Sequence, residues 1–101
     1  MKKDAGAEVC ARRLRALADP DRLRIVRALA ERAQHVSDLA FLLELQIQNA
    51  SHHLKVLRRE GIVEGRKSGR FVTYRLAVGV FGQQSSCAAH VDLGCCQVRW
   101  Q

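Results

Sequence analysis

The stretch that decides the fold is ASHHLKVLRREGIVEGRKSGRFVTYRL, residues 50–76, in which the spacing of the apolar residues changes once. In its first half, Ala50, Leu54 and Leu57 recur at intervals of three or four, which predicts one face of an α-helix. In its second half, apolar and polar residues alternate, which predicts two short strands, IVEGRK and RFVTYRL. Residues 67–70 join them and predict a hairpin turn with a basic tip. We therefore expect a helix followed by a basic hairpin.

Three further helices are predicted on the N-terminal side of this stretch. The segment AEVCARRLRALA, residues 7–18, has helical spacing, and the next helix starts at Asp19, a good N-cap, with Pro20 at its first position. A third helix is expected from about Ser37, because Ser-Asp is a typical helix start. The helix of the decisive stretch then covers residues 47–60.

Helices followed by a basic hairpin are typical of the winged helix-turn-helix, an α+β but mainly α fold with a two-stranded β-hairpin wing. In that fold the second of two helices joined by a tight turn lies in the major groove of DNA, and the wing reaches the backbone or the minor groove. We assign this DNA-binding domain to residues 1–78. Residues 79–101 form a cysteine-rich tail, a candidate sensor or dimer segment.

Charge supports an anionic partner. The 101-residue chain has a formal net charge of +7, and residues 46–75 hold seven basic and two acidic residues, a local charge of +5. Because no apolar run is long enough for a membrane span and the N-terminus lacks a signal-peptide core, we expect a cytoplasmic protein without a membrane partner. In that compartment the four cysteines are expected to be free thiols or metal ligands.

The sequence is identified as resembling the ArsR/SmtB family of bacterial repressors, which respond to metals and metalloids. The resemblance rests on ALADPDRLRIVRAL (16–29), VSDLA (36–40) and residues 50–76, in that order. It implies a homodimer in which each recognition helix reads one half of an inverted repeat in double-stranded DNA. It also implies that an inducer ion binds the dimer and lowers its affinity for DNA.

The residues at DNA-facing positions of the family are polar in this chain. The resemblance implies base or phosphate contacts for Gln46, Gln48, Asn49, Ser51 and His52, and mainly phosphate contacts for Lys55, Arg66, Lys67 and Arg70. Gln and Asn side chains can bond adenine edges, whereas Lys and Arg at phosphates give affinity that depends on salt. Ile47 is expected in the core, or at most against a thymine methyl. His52 and His53 diverge on a helix, which disfavours a shared metal ion.

The family's frequent thiolate site is missing. Many members carry two cysteines, one residue apart, at the start of the third helix, where this chain has His35 and Ser37. Serine is a poor ligand for soft metals, and Ser37 is interpreted as a helix cap. His35 is interpreted as an exposed loop histidine rather than as a lone ligand.

The tail offers other ligands. Cys87, His90, Cys95 and Cys96 lie within ten residues, and Cys10 of the first helix can complete a site within one chain or across the dimer. Three thiolates suit arsenite or antimonite, As(III) or Sb(III), or a soft ion such as Cd or Pb, and Cys with His suits Zn or Cu(I).

Against a metal site, a regular strand would point the two adjacent cysteines to opposite faces, and either would then fit a core as a small hydrophobe. Both sulfurs can meet one ion only if Gly94 turns the chain.

Three functions remain open at this point. The first is a repressor released from an inverted-repeat operator by a thiophilic metal or metalloid. The second is a repressor of the same fold that responds to thiol oxidation, with Cys10 or Cys87 crosslinked to the vicinal pair. The third is a metal-binding or interaction protein that does not bind an operator. An enzyme is not expected, because the sequence has no nucleophile–base set, phosphate loop or paired carboxylates.

Overall fold

In a computed structural model, residues 5–77 and 90–100 are described. The helices are α1 (Ala5–Leu17), α2 (Pro20–Glu31), α3 (Val36–Leu43) and α4 (Ile47–Arg59). The strands are β1 (Gln34–His35), β2 (Val63–Ser68), β3 (Phe71–Leu76), β4 (His90–Asp92) and β5 (Gln97–Arg99). The predicted winged helix-turn-helix, with four helices and an antiparallel hairpin wing, is confirmed.

The start of α2 is capped as the sequence predicts. The side chain of Asp19 accepts hydrogen bonds from the backbone N–H groups of Asp21 at 2.9 Å and Arg22 at 3.1 Å, and Pro20 is the first helical residue. These bonds satisfy N–H groups that have no partner inside the helix. The cap therefore fixes the direction in which α2 leaves α1.

Helix α3 starts at Val36, within one residue of the prediction, but its cap differs. His35 occupies the N-cap position without a side-chain cap bond, and Ser37 is an exposed residue inside the helix, so the interpretation of Ser37 as a cap is wrong. The reason is β1, whose His35 pairs with Thr73 of the wing and fixes the helix start. The His35 ring nitrogen Nδ1 lies 3.3 Å from the carbonyl oxygen of Val72 and 3.3 Å from Thr73 Oγ1. His35 is thus a half-buried strand residue, not an exposed loop histidine.

The turn between α3 and α4 is short and tight. Glu44 ends α3 in the left-handed region at φ 56°, and the N–H of Leu45 donates to the carbonyl of Ala40 at 2.9 Å. After α4, Gly61 adopts φ +74°, a conformation that glycine adopts without the steric cost of a Cβ. These two turns set the position of α4 against α3 and the wing.

The wing is a three-stranded sheet in the order β1-β3-β2. Strands β2 and β3 pair from Val63↔Leu76 to Ser68↔Phe71, which leaves a two-residue tip at Gly69 and Arg70. The predicted hairpin is confirmed, and the short strand β1 adds a third strand that joins the wing to the start of α3.

The core receives residues from every part of the fold, including the tail. Its fully buried side chains include Ile25, Leu29, Leu39, Leu54, Leu57, Ile62 and Leu76. Val91 and Leu93 are equally buried in the same cluster, so residues 90–100 pack on the helical domain. Among the described residues, no helix is long and apolar enough to cross a membrane.

Candidate DNA interface and thiol cluster

The solvent-facing side of α4 is polar and uncovered. Ala50, Leu54 and Leu57 hold the helix on the core, and this leaves the opposite face free. Of the residues that the sequence assigned to DNA contact, Gln46, Gln48, Asn49, His52 and Lys55 are exposed, and Ser51 is half-buried. Ile47 is 47% exposed, so the expectation that it lies in the core is wrong; its position at the first turn of α4 points it to solvent.

The wing tip is basic and exposed. Arg66, Lys67 and Arg70 have exposed side chains around the turn at Gly69, which adopts φ +61°. Further down the hairpin, Arg75 is paired with Glu64, so its charge is compensated. The uncompensated positive charge is therefore concentrated at the end of the wing that extends furthest from the core.

His52 and His53 have different surroundings. The His53 ring is turned towards the start of α2, where its Nδ1 lies 3.4 Å from Arg22 Nη1 and its Nε2 lies 3.9 Å from Asp21 Oδ2. Ligand atoms of Asp19, Asp21 and His53 lie within 4.8 Å of one another. The carboxylate of Asp19 is already used as a helix cap, and its hydrogen bond from the backbone N–H of Arg22 is the main cause that lowers its pKa. This group is adequately explained by capping and local ion pairing.

Three of the five candidate metal ligands meet in one place. Cys10 Sγ and Cys95 Sγ form a disulfide, and Cys96 Sγ lies 3.7 Å from Cys10 Sγ and 4.0 Å from Cys95 Sγ. We call these three residues the thiol cluster. Cys95 is exposed, and Cys10 and Cys96 are half-buried, so the thiol cluster opens to solvent on one side.

The turn between β4 and β5 explains why the two adjacent cysteines can share this place. Gly94 adopts φ +89°, its N–H donates to Asp92 Oδ1 at 2.7 Å, and the N–H of Leu93 donates to the carbonyl of Cys96 at 2.8 Å. The chain therefore reverses here, and residues 91–100 do not form one regular strand. The divergence of the two sulfurs that a strand would impose is removed by this turn.

The disulfide differs from the expectation that the four cysteines are free thiols or metal ligands, and it corresponds to the alternative in which Cys10 is crosslinked to one of the vicinal pair. It joins α1 to the β4–β5 turn because both elements pack on the same core. Metal ions bind thiolates, so the thiol cluster offers three sulfur ligands when the disulfide is reduced and at most one when it is formed.

One predicted ligand of the described residues is not in this group. His90 begins β4 and pairs with Arg99, and its ring is not among the ligand atoms that gather around the three sulfurs. Cys87, another predicted ligand, lies outside the described residues.

Arg13 is a site residue that the sequence did not single out. Its Nη1 donates to the carbonyl of Leu93 at 2.6 Å, next to the turn that carries the cysteines. Its place three residues after Cys10 puts both side chains on one face of α1. The three-residue spacing between Cys10 and Arg13 was the available sequence signal. It did not distinguish Arg13 from the many other arginines of the chain.

The outer face of α1 keeps apolar side chains in solvent. Val9 is 37% and Leu14 is 42% exposed, whereas Leu17 is buried. Of these three residues, Leu17 alone packs in the core. Val9 and Leu14 remain uncovered in a single chain.

Comparison with known proteins gives the family. The model of the bacterial regulatory proteins of the arsR family matches residues 19–65. The transcriptional repressor SmtB of Mycobacterium tuberculosis is 45% identical over 74 residues, which cover 73% of this chain and 52% of the relative. The cadmium resistance transcriptional regulatory protein CadC of Listeria innocua is 37% identical over 59 residues, 57% of this chain and 50% of the relative. The chain thus spans about half the length of the curated relatives it matches.

A solved structure extends the match over more of the fold. The homodimeric winged helix-turn-helix DNA-binding domain of a possible ArsR-family regulator from Mycobacterium bovis superposes with a TM-score of 0.69 at 33% identity. The alignment covers 75% of this chain and 73% of that one. The chain belongs to the ArsR family. The ArsR-family proteins it resembles are named as transcriptional regulators and repressors, and the prediction of an ArsR-family regulator is confirmed.

Proposed function

We propose that this chain is a DNA-binding transcriptional repressor that a thiophilic metal or metalloid ion releases from an inverted-repeat operator. The observation that carries the proposal is the thiol cluster, in which sulfurs from positions 10, 95 and 96 gather within 4.8 Å beside an intact winged helix-turn-helix. The ion, of the As(III), Sb(III), Cd, Pb, Zn or Cu(I) kind, is held by Cys10, Cys95 and Cys96 in their reduced form.

The DNA-binding half of the proposal rests on the exposed face of α4 and on the wing tip. Gln46, Gln48, Asn49, Ser51 and His52 take the base-facing role, since amide side chains can bond adenine edges in two places. Lys55, Arg66, Lys67 and Arg70 contact phosphates and make the affinity depend on salt. The exposed side chain of Ile47 contacts the methyl group of a thymine.

The thiol half rests on the chemistry of the donors. Thiolates are soft ligands and favour soft ions over Mg²⁺ or Ca²⁺. Three sulfurs from one turn and one helix form a compact donor set, and the exposed side at Cys95 gives an ion a path of entry. The name of the relative CadC refers to cadmium resistance, which is consistent with a soft ion.

A homodimer completes the proposal. An inverted repeat presents the same sequence twice with twofold symmetry, so two recognition helices in one dimer can read both halves. The uncovered Val9 and Leu14 on α1 supply an apolar surface for this contact. The similar domain from Mycobacterium bovis is homodimeric.

The test is a titration of a labelled inverted-repeat operator from the protein's own promoter. Reduced protein should bind it with an affinity that falls steeply with salt, and arsenite or one of the soft ions should release it in the presence of a reductant. Failure of every operator fragment to bind at low salt would overturn the DNA-binding role. A Cys95→Ser/Cys96→Ser variant that is released at an unchanged ion concentration would remove the thiol cluster from sensing.

A second candidate is a repressor that responds to oxidation of the same cysteines, and the disulfide between Cys10 and Cys95 is the observation that favours it. Peroxide oxidises two thiols to a disulfide and is itself reduced to water. If peroxide releases the operator and no ion does so under reducing conditions, the redox role is correct and the ion role is wrong. If an ion releases the operator under reducing conditions and peroxide does not, the ion role is correct and the redox role is wrong.

A further inference from the structure

The guanidinium of Arg13 lies between the thiol cluster and the end of the recognition helix. On one side its Nη1 donates to the carbonyl of Leu93 at 2.6 Å, and the same nitrogen is 3.7 Å from the place that a Cβ on Gly94 would take. On the other side its Nη2 is 3.7 Å from the place that a Cβ on Gly61 would take. One planar group thus bonds to the cysteine turn on one edge and lies beside Gly61, just after the end of α4, on the other.

A glycine lies on each side of the guanidinium. A Cβ at Gly94 or at Gly61 would be in ordinary van der Waals contact with it, so the positive φ of +89° and +74°, and not a lack of space, favours glycine at both positions. The two chain reversals therefore lie against opposite edges of one side chain. Because a guanidinium is rigid and planar, its two edges keep a fixed position relative to each other.

The third guanidinium nitrogen of Arg13, Nε, makes no stabilising hydrogen bond among the described residues. This nitrogen is buried. A buried donor without a partner costs about 1–3 kcal/mol. If Arg13 served folding alone, a hydrogen-bond partner for Nε would increase its contribution to stability. The unsatisfied buried Nε therefore calls for another explanation.

We propose that Arg13 is a positioning residue that couples the state of the thiol cluster to the orientation of α4. The inference rests on the proposed function. In the structure Cys95 is joined to Cys10 by the disulfide. When this bond is reduced and an ion lies between the sulfurs of Cys10, Cys95 and Cys96, the sulfurs move apart and the turn at Leu93 and Gly94 moves relative to α1. Arg13, three residues along α1 from Cys10, passes this movement to Gly61, where α4 ends and the wing begins. A change at this junction alters how the recognition helix and the wing meet the DNA.

A second contact between α1 and α4 supplies the control. Arg12 Nε lies 3.5 Å from Glu60 Oε1, so Arg12 also joins these helices by a cation. The side chain of Arg12 is largely exposed, and among the residues described its ion pair is with Glu60 and not with the β4–β5 turn. An Arg12→Met substitution therefore removes one charge from α1 and one contact to α4, but it does not touch the link to the cysteines.

The experiment compares wild type, Arg13→Met, Arg13→Lys and Arg12→Met as reduced, full-length proteins. For each we measure operator affinity with and without cadmium chloride or sodium arsenite, ion affinity from the ultraviolet absorbance of the thiolate–ion bonds, and thermal unfolding. A coupling of about 5–150-fold between the two sites is typical of allosteric proteins. We expect the ion to weaken operator binding within this range in wild type and in Arg12→Met.

For Arg13→Met we expect ion-free operator affinity and ion affinity within about threefold of wild type, and an ion effect on operator binding reduced to less than about threefold. Arg13→Lys, which keeps one donor for Leu93 but not the planar fork, should give an intermediate effect and tests the inference even if Arg13→Met does not fold. An unchanged ion effect in either folded variant would overturn the inference, as would loss of ion binding. If the ion does not change operator binding in wild type, the proposed ion sensing is wrong. If the ion acts equally on wild type and on the Arg13 variants, ion sensing stands and only the role of Arg13 is wrong.

Discussion

The sulfur of Cys96 lies 3.7 Å from the sulfur of Cys10, although 86 positions separate the two residues. This proximity exists because α1 and the β4–β5 hairpin pack on one core. It brings three of the four cysteines into the thiol cluster, a chemical group that the DNA-binding elements do not need.

Mild oxidation should produce one defined disulfide. We expect peptide mapping without reductant to find Cys10 linked to Cys95, and alkylation to mark Cys96, whose thiol is half-buried but unbonded. The reason is that the two adjacent cysteines cannot easily close their own small ring. A dominant crosslink between Cys95 and Cys96 would contradict the arrangement described above.

Substitutions on α4 and on the wing should weaken DNA binding in different ways. Asn49→Ala should cost about 1–3 kcal/mol of operator affinity and leave binding to random DNA unchanged, because it removes a base contact. Lys67→Ala should weaken both kinds of binding and reduce the slope of log affinity against log salt by about one.

Fluorescence anisotropy at several salt concentrations measures both effects. Arg27→Ala serves as the control, since it removes an exposed cation from α2. If Arg27→Ala changes the salt slope as much as Lys67→Ala does, the wing tip is not the preferred phosphate contact.

The cap of α2 should make stability depend on pH. Asp19→Ala should lower the free energy of unfolding by about 1 kcal/mol. The pKa of Asp19 is lowered in the folded state, chiefly by the hydrogen bond from the N–H of Arg22. A lowered pKa means that the ionised cap stabilises the fold fully above the unfolded value of 3.8 and that this contribution is lost as the pH falls below it.

Urea denaturation at pH 7 and at pH 3 measures this contribution. Asp19→Asn keeps the cap but cannot ionise, so its stability should fall less than that of wild type between the two pH values. Equal losses in both proteins would show that other carboxylates dominate the acid response.

The turn at Gly94 should matter for ion binding, unlike the turn at the wing tip. Gly94→Ala and Gly69→Ala both place a Cβ at positive φ, with φ of +89° and +61° respectively. Each should cost about 1–2 kcal/mol of folding stability. Gly94→Ala should also weaken cadmium binding, since it changes the turn that brings Cys95 and Cys96 together.

Gly69→Ala, with open space around it, should leave cadmium affinity unchanged. Calorimetric titration of both reduced variants measures the difference. Identical cadmium affinities would mean that the turn does not control the thiol cluster.

The apolar face of α1 should control dimerisation. Leu14→Glu places a charge on a side chain that is 42% exposed in the single chain, so the monomer should remain folded while the dimer is weakened. Sedimentation velocity should show a shift towards monomer, and operator affinity should fall because one half-site is lost. Arg15→Glu, at an exposed neighbouring position, is the control; an equal shift in that variant would place the interface elsewhere.

The sequence predicted the parts of the fold that depend on local patterns. The spacing of Ala50, Leu54 and Leu57 located α4, the alternation after it located the wing, and Asp19 with Pro20 located the start of α2. Each of these signals lies within a few residues of the feature it determines. Such signals survive in the folded chain because tertiary packing reinforces them.

The features that sequence reasoning missed all involve distant residues. Strand β1 forms because Gln34 and His35 meet Tyr74 and Thr73, some 40 positions later, and His35 instead of Ser37 then takes the N-cap position of α3. The pairing of Cys10 with Cys95 instead of Cys96, and the bond from Arg13 to Leu93, depend likewise on α1 packing beside the tail. No local pattern reports such contacts, so the sequence could propose the cysteines as ligands but not their geometry.

The disulfide between Cys10 and Cys95 has a topological consequence. It closes a ring that contains most of the chain, across a separation of 85 residues. In the chain-entropy account, closing a ring of this size disfavours the unfolded ensemble by about 4–5 kcal/mol. The oxidised protein is therefore expected to resist unfolding and proteolysis, whereas the reduced protein, the form able to hold an ion, has an open chain. Redox conditions would then set the lifetime of the regulator as well as its capacity to respond.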